Sequence, residues 1–243
     1  MLLAIDTSSG TSVAVVDRDG GVLAEVTELD TRRHAEVIGE SIAFCLDAAG
    51  VAPDELSAVV AGMGPGPFTG LRVGIAAARA FAFGAGKPCL PLISHDAIAF
   101  ERLGGLALAI SGAAPDPAAS ETAAPEPAAP EAVAPLLVIT DARRRELYWS
   151  AFRGLDGAGL PVRLAAPGLA RPAELDEAVA GSCGSAFVAE ATRTDPTSTP
   201  VSAAALGMLG EVLFAAGRPF ARDEPLYLRS PDVTVPGAPK RVS

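Results

Sequence analysis

Residues 58 to 84 read AVVAGMGPGPFTGLRVGIAAARAFAFG. Ala58-Val59-Val60-Ala61 is a short aliphatic, β-branched run suited to a buried strand. It ends in the turn Gly62-Met63-Gly64-Pro65-Gly66-Pro67, and Thr69 stands where a helix would be capped. A helix over about 70–84 follows, so the unit is strand, turn, helix, the building block of an α/β protein. Within that helix Gly70, Gly74 and Ala78 recur every fourth residue, with Ala77 beside them. A mid-helix glycine costs about 1 kcal/mol relative to alanine. Two in one stripe therefore imply a compensating close approach, either by another element of the same domain or by an outside partner, and the spacing fits both.

Upstream, residues 2–5 and 12–17 read as short strands separated by the turn Asp6-Thr7-Ser8-Ser9-Gly10, and Asp19-Gly20-Gly21 turns the chain into a third, over 22–29. The expected opening is three antiparallel strands. From 33 to 49 the apolar residues Val37, Ile38, Ile42, Cys45, Leu46 and Ala49 follow helical spacing, and Gly50 supplies the stop.

Downstream, residues 111–135 contain ten Ala and six Pro and almost no large apolar side chain. Such a segment cannot bury enough surface to offset its ordering entropy, and reads as a flexible insertion. Order resumes with the strand Leu136-Leu137-Val138-Ile139, a turn at Thr140-Asp141-Ala142, and a hairpin mate from Glu146 to Phe152. Helical spacing returns over 172–180 and 202–216. The chain thus divides into units over 1–104 and 136–230, an insertion over 105–135 and a loose tail over 231–243.

Composition limits function. Nineteen basic against 29 acidic side chains give a net charge of -10, which argues against unaided nucleic-acid binding. No run is long enough for a membrane span, and the apolar start after Met1 is too short for an export signal, so a cytoplasmic protein without membrane contact is expected. Cys45, Cys89 and Cys183 form no Cys-x-x-Cys pair and read as small buried thiols.

Asp6-Thr7-Ser8 after a first strand resembles the opening of the actin, sugar-kinase and Hsp70 superfamily, where this turn faces a nucleotide phosphate. An ordinary Asx or Ser/Thr turn accounts for the same residues. The string GPGPFTGLRVGIAAARA at 64–80 is similar to the GPGSFTGLRIG stretch of the TsaB (YeaZ) family and its catalytic relative TsaD. Pro67 replaces the usual serine, removing a hydroxyl and a backbone donor. Further matches are Arg33-His34-Ala35, the segment from Asp141-Ala142-Arg143 to Glu146-Leu147-Tyr148-Trp149, and Tyr227-Leu228-Arg229. The resemblance implies a two-lobed actin-like (ASKHA) α/β fold of mixed sheets flanked by helices.

TsaD-like enzymes carry a His-x-x-x-His metal pair after the second helix, since ligands at i and i+4 converge on an ion. Here the place reads Ser94-His95-Asp96-Ala97-Ile98-Ala99, with Ala99 where the second histidine would stand. No two-histidine site forms on this helix, and His95 with Asp96 reads as a solvated pair at a helix start. The resemblance therefore implies the TsaB side of the family, with no catalytic residues, metal or cofactor. It implies a subunit that binds and activates a TsaD-like enzyme in forming threonylcarbamoyladenosine on tRNA, meets a TsaE-like ATPase through the complex, and touches tRNA only indirectly. Pairing in the family uses the first-lobe helices. The corresponding contacts here are Val37, Ile38, Ser41, Phe44 and Cys45 on one helix and Gly70, Leu71, Arg72, Gly74, Ile75, Ala78, Arg79 and Phe83 on the other. The same surface is a candidate for a homodimer when the partner is absent, and Asp6, Thr7 and Ser8 are candidates for facing a nucleotide.

Two rivals stand beside this reading: a metal-dependent transferase or glycoprotease-like enzyme in its own right, and a small-molecule kinase using Asp141. Arg143, Arg144 and Arg145 beside Asp141 would pair with it as readily as a substrate would. Whether these arginines reach tRNA in the complex stays open.

Overall fold

The computed structural model describes residues 1–106, 110, 134–197 and 200–229. Most of the Ala/Pro-rich insertion and the tail after 229 lie outside the described residues.

Strands β1 (Leu2–Asp6), β2 (Thr11–Asp17) and β3 (Gly21–Glu28) form the expected antiparallel meander. Helix α1 (His34–Ala49) follows and ends at Gly50, whose φ of 66° is the left-handed stop that glycine tolerates. Then come β4 (Ala58–Gly62), α2 (Phe68–Ala85), β5 (Cys89–Leu92) and α3 (Ser94–Arg102). β4 and β5 run parallel to β1, giving a five-stranded mixed sheet in the order β3-β2-β1-β4-β5. Helix α2 begins two residues earlier than its apolar spacing suggests. Pro67, not Thr69, holds the N-cap, with no side-chain cap, because a proline side chain carries no acceptor for the first N–H groups of the helix.

A second sheet holds β6 (Leu136–Asp141), β7 (Leu147–Leu155), β8 (Pro161–Arg163), β9 (Gly168–Ala170) and β10 (Thr192–Arg193), with β6 and β7 as the expected hairpin. Helices α4 (Leu175–Cys183), α5 (Ser185–Glu190) and α6 (Ala203–Ala215) complete the chain.

Period-two alternation explains how the layers stack. Leu3, Ile5, Val13, Val15, Val59 and Ala61 point from the first sheet toward α1 and α2. Their neighbours Leu2, Ala4, Ala14, Val16 and Val60 point the other way, into a core shared with α3, α6 and the inner face of the second sheet. The outer face of that sheet, with Leu137, Ile139 and Trp149, packs on α4 and α5. Both faces of β1 and β4 are thus buried, which is why they read as unbroken aliphatic runs.

Helix α6 comes from the last third of the chain yet lies on the first sheet: a Cβ added at Gly207 would sit 2.7 Å from Val16 and 3.2 Å from Ala4. Its first N–H groups are met by side chains from the opening meander. Ala203 donates to Ser12 Oγ (3.0 Å) and Ala204 to Glu25 (3.1 Å), while its own Ser202 accepts from Ala205. The final segment runs back along the first sheet, where Leu226 N donates to Met63 O (2.8 Å), Asp223 pairs with Arg79 (2.7 Å) and Tyr227 stacks on Phe68.

Candidate functional site

The β1–β2 turn is buried and fully engaged within the chain. Asp6 is 1% exposed. One carboxylate oxygen accepts from Ser8 N (2.8 Å) and Ser8 Oγ (2.6 Å), the other from Ser94 Oγ (2.5 Å). Burial raises the Asp6 pKa, against the opposing effect of these bonds and of His34. A Cβ on Gly62 would lie 1.8 Å from that carboxylate, so only glycine fits there.

Thr7 accounts for the glycine stripe. Its hydroxyl donates to Gly70 O (2.7 Å) and accepts from Gly74 N (3.1 Å), bridging the two ends of one rung of α2. A Cβ on Gly74 would sit 2.1 Å from Thr7 Oγ1, and one on Gly70 2.7 Å from Thr7 O and 3.1 Å from His34 Nε2. Of the two uses left open by the spacing, the stripe serves the internal one. His34 is buried beside it, 2.8 Å from Thr11 Oγ1, and burial lowers its pKa.

Across the molecule, three successive residues at the start of α3 each reach a different element. Ser94 binds Asp6. The ring nitrogens of His95 lie 2.8 Å from Ser150 Oγ on β7 and 2.8 Å from Thr140 Oγ1 on β6. Asp96 accepts from Arg163 (2.5 Å), which also donates to Ser150 and lies over the Phe152 ring. The expected solvated pair is corrected here: His95 is wholly buried, because α3 begins in the layer between the sheets and its first turn points into the second one. Burial, and then Arg163, push the His95 pKa down to about 3, and burial raises that of Asp96. Tyr148 on β7 completes the crossing, donating to Gly66 O (3.2 Å). Nothing in local spacing pointed to Tyr148, Ser150 or Arg163, whose partners are 13 to 82 residues away.

Among the residues expected on a partner surface, Val37, Ile38, Ser41, Cys45, Gly70, Leu71, Gly74, Ile75 and Ala78 are buried. Phe44, Arg72, Arg79 and Phe83 are exposed, Phe83 at 90% and Phe44 at 56%. α1 and α2 lie side by side on the first sheet, so their outer faces form one surface. Of the cysteines Cys45 is buried, whereas Cys89 and Cys183 are partly exposed.

At the β6–β7 tip, Asp141 accepts from Arg143 N (2.8 Å) and pairs with the Arg143 guanidinium (3.6 Å), which also reaches Thr31. Arg143, Arg144 and Arg145 all have positive φ (64°, 53° and 63°), a conformation that costs an L-residue roughly 1–2 kcal/mol each.

These features define a protein with an actin-like α/β fold, in which the turn after the first strand is buried and bonded to α2 and to the start of α3. A family model described as "TsaD: tRNA N6-adenosine threonylcarbamoyltransferase" matches residues 5–115. The chain is 33% identical over 233 residues to the uncharacterized protein Rv3421c of Mycobacterium tuberculosis, covering 95% of this chain and 92% of that one. It is 33% identical over 236 residues to ML0378 of Mycobacterium leprae, where it spans 96% of itself but 55% of the relative. To the tRNA threonylcarbamoyladenosine biosynthesis protein TsaB of Haemophilus influenzae it is 39% identical over 99 residues, 40% of this chain and 41% of that protein. The solved structure of YeaZ from Pseudomonas aeruginosa superposes with a TM-score of 0.65 at 24% identity, over 93% of this chain and 99% of that one, a likeness of fold. The chain belongs to the TsaB (YeaZ) family.

Proposed function

We propose that this chain is a non-catalytic subunit in the formation of threonylcarbamoyladenosine on the adenosine next to the anticodon of tRNAs, where it binds and activates a TsaD-like enzyme. The observation that carries this reading is the fate of the turn at Asp6, Thr7 and Ser8. In the superfamily it resembles, that turn faces a nucleotide phosphate. Here all three residues are buried, Asp6 accepting from Ser8 and Ser94 and Thr7 bonded to Gly70 and Gly74. Groups so engaged would have to give up buried hydrogen bonds, at about 1–3 kcal/mol each, before meeting a ligand.

The outer face of α1 and α2 is the surface offered to the partner. Phe44 and Phe83 expose aromatic rings on this face and Arg72 lies over the Phe68 ring, side chains of the kinds enriched at interface centres. Activation is then a population shift in the partner, bought with differential binding. A TsaE-like ATPase joins through the complex, tRNA meets this chain only indirectly, and the same face pairs two copies when the partner is absent. Residues 1–104 and 136–230 serve as the two lobes, the second returning α6 and its last segment to the first sheet, in a cytoplasmic setting.

The test is threonylcarbamoyl transfer to tRNA by the purified TsaD-like and TsaE-like proteins of the same organism, with and without this chain. Activity that requires the chain, while the chain alone has none, is expected. Transfer by the chain alone, or no dependence on it, would overturn the role. Phe83→Asp should weaken pairing by tenfold or more, and unchanged pairing would move the surface elsewhere.

A further inference from the structure

We infer that the face of α1 and α2 closes on a second copy of this chain with α1 of each copy against α2 of the other, and that this self-pair withholds the face from the catalytic partner. The inference rests on the docking surface proposed above and assigns it an orientation and a competitor. The exposed charges of the face are sorted by helix. On α1 they are Glu36, Glu40 and Asp47, all acidic, and on α2 they are Arg72 and Arg79, both basic. Little inside the chain uses them. Glu36 pairs with Arg33 (3.1 Å) and Arg79 with Asp223 (2.7 Å). Among the described residues Glu40 and Asp47 make no ion pair or side-chain hydrogen bond, and Arg72 meets only the Phe68 ring, 5.0 Å from its centre. Asp47 stands in the last turn of α1, where the helix end is itself negative and no basic side chain offsets it. Phe44 and Phe83 leave two aromatic rings uncovered on the same face.

The topology decides how two such faces fit. β3, β4 and β5 all run parallel to β1, and α1 and α2 each lead from the end of one of these strands to the start of the next. The two helices therefore lie side by side and run in one direction. His34 sits against Gly70, which sets Arg72 and Arg79 level with the stretch from Glu36 to Asp47. In a twofold pair, residue i of one copy meets j of the other and j meets i. With the axis across the helices, α1 meets α1 and carboxylates face carboxylates. With the axis along them, α1 meets α2, and an acidic row opposes a basic one twice over. Like charges set against each other are penalised, so the second arrangement is selected. It occupies the face a TsaD-like enzyme needs, and the two pairings compete by mass action.

The experiment follows self-association of the full chain by sedimentation equilibrium, in wild type, Glu40→Arg, Arg72→Glu and the two changes combined. Either single change should weaken the self-pair about tenfold in about 0.1 M salt, since each counts twice across the axis. The effect should shrink in about 1 M salt, where the Debye length falls from about 10 to about 3 Å. The combined variant, with its charges exchanged but again opposed, should regain most of the loss, which a damaged fold would not do. Adding the TsaD-like protein should replace the self-pair with a complex of the two proteins. Single variants that pair as wild type does, or a combined variant weaker than either, would overturn the orientation. A wild type that stays monomeric, or a complex in which the self-pair persists, would give the face to the TsaD-like protein alone or to the self-pair alone, and either overturns the competition. The subunit role is judged separately by the transfer assay, and stands as long as transfer requires this chain.

Discussion

Replacing Gly74 by alanine tests how the first lobe is held together. The new methyl would sit 2.1 Å from Thr7 Oγ1 and 2.9 Å from its Cγ2, well inside any normal contact. Opening that space costs about 1–3 kcal/mol as overpacking. It also displaces a hydroxyl that bridges Gly70 O and Gly74 N, leaving buried groups unpaired at about 1–3 kcal/mol. Alanine's better helix propensity returns about 1 kcal/mol. The net loss should be about 1–5 kcal/mol, against a gain of about 0.5–1 kcal/mol for Gly84→Ala, where an added Cβ meets nothing within 4 Å. Urea unfolding followed through the single, buried Trp149 measures both. A Thr7→Ala/Gly74→Ala double variant should recover part of the loss, since its two changes share one contact. If Gly74→Ala were as stable as wild type, the hydroxyl bridge would not hold α2 to the β1 turn.

Stability should also carry a histidine signature in acid. His95 has a folded pKa of about 3 against an ordinary 6.5, so the unfolded chain gains a proton first and stability falls as pH drops from about 6.5 toward 3. Asp6 and Asp96, whose pKa values are raised, act in the opposite sense, so the comparison must be with His95→Gln. From pH 6.5 to 5 wild type should lose about 2 kcal/mol more than the variant, at about 1.4 kcal/mol per pH unit, and parallel curves would refute the assignment. Trp149 Nε1 is buried without a partner among the described residues. Trp149→Phe removes that orphan donor along with some apolar contact, and should stay within about 1 kcal/mol of wild type when unfolding is followed by circular dichroism. Glu25→Ala, which strips an acceptor from Ser202 and Ala204 at the start of α6, should cost about 1 kcal/mol in the same assay.

Much of the first lobe is legible in the chain itself. The opening meander, α1 with its stop at Gly50, and the strand-turn-helix of residues 58–84 follow from period and from glycine, because these are properties of neighbours in sequence. The motifs that identify the family are local for the same reason. Period reveals which face of an element is apolar or small but not what covers it. That is why Gly70, Gly74 and Ala78 fitted a partner as well as Thr7, and why His95 and Asp96 read as solvated. Only the tertiary structure brought α3 between the sheets, sent α6 back to the first sheet and set Tyr148 over the turn at Gly66. Those contacts join residues 45 to 191 positions apart, chosen by which buried polar groups find partners, and no local pattern carries that information.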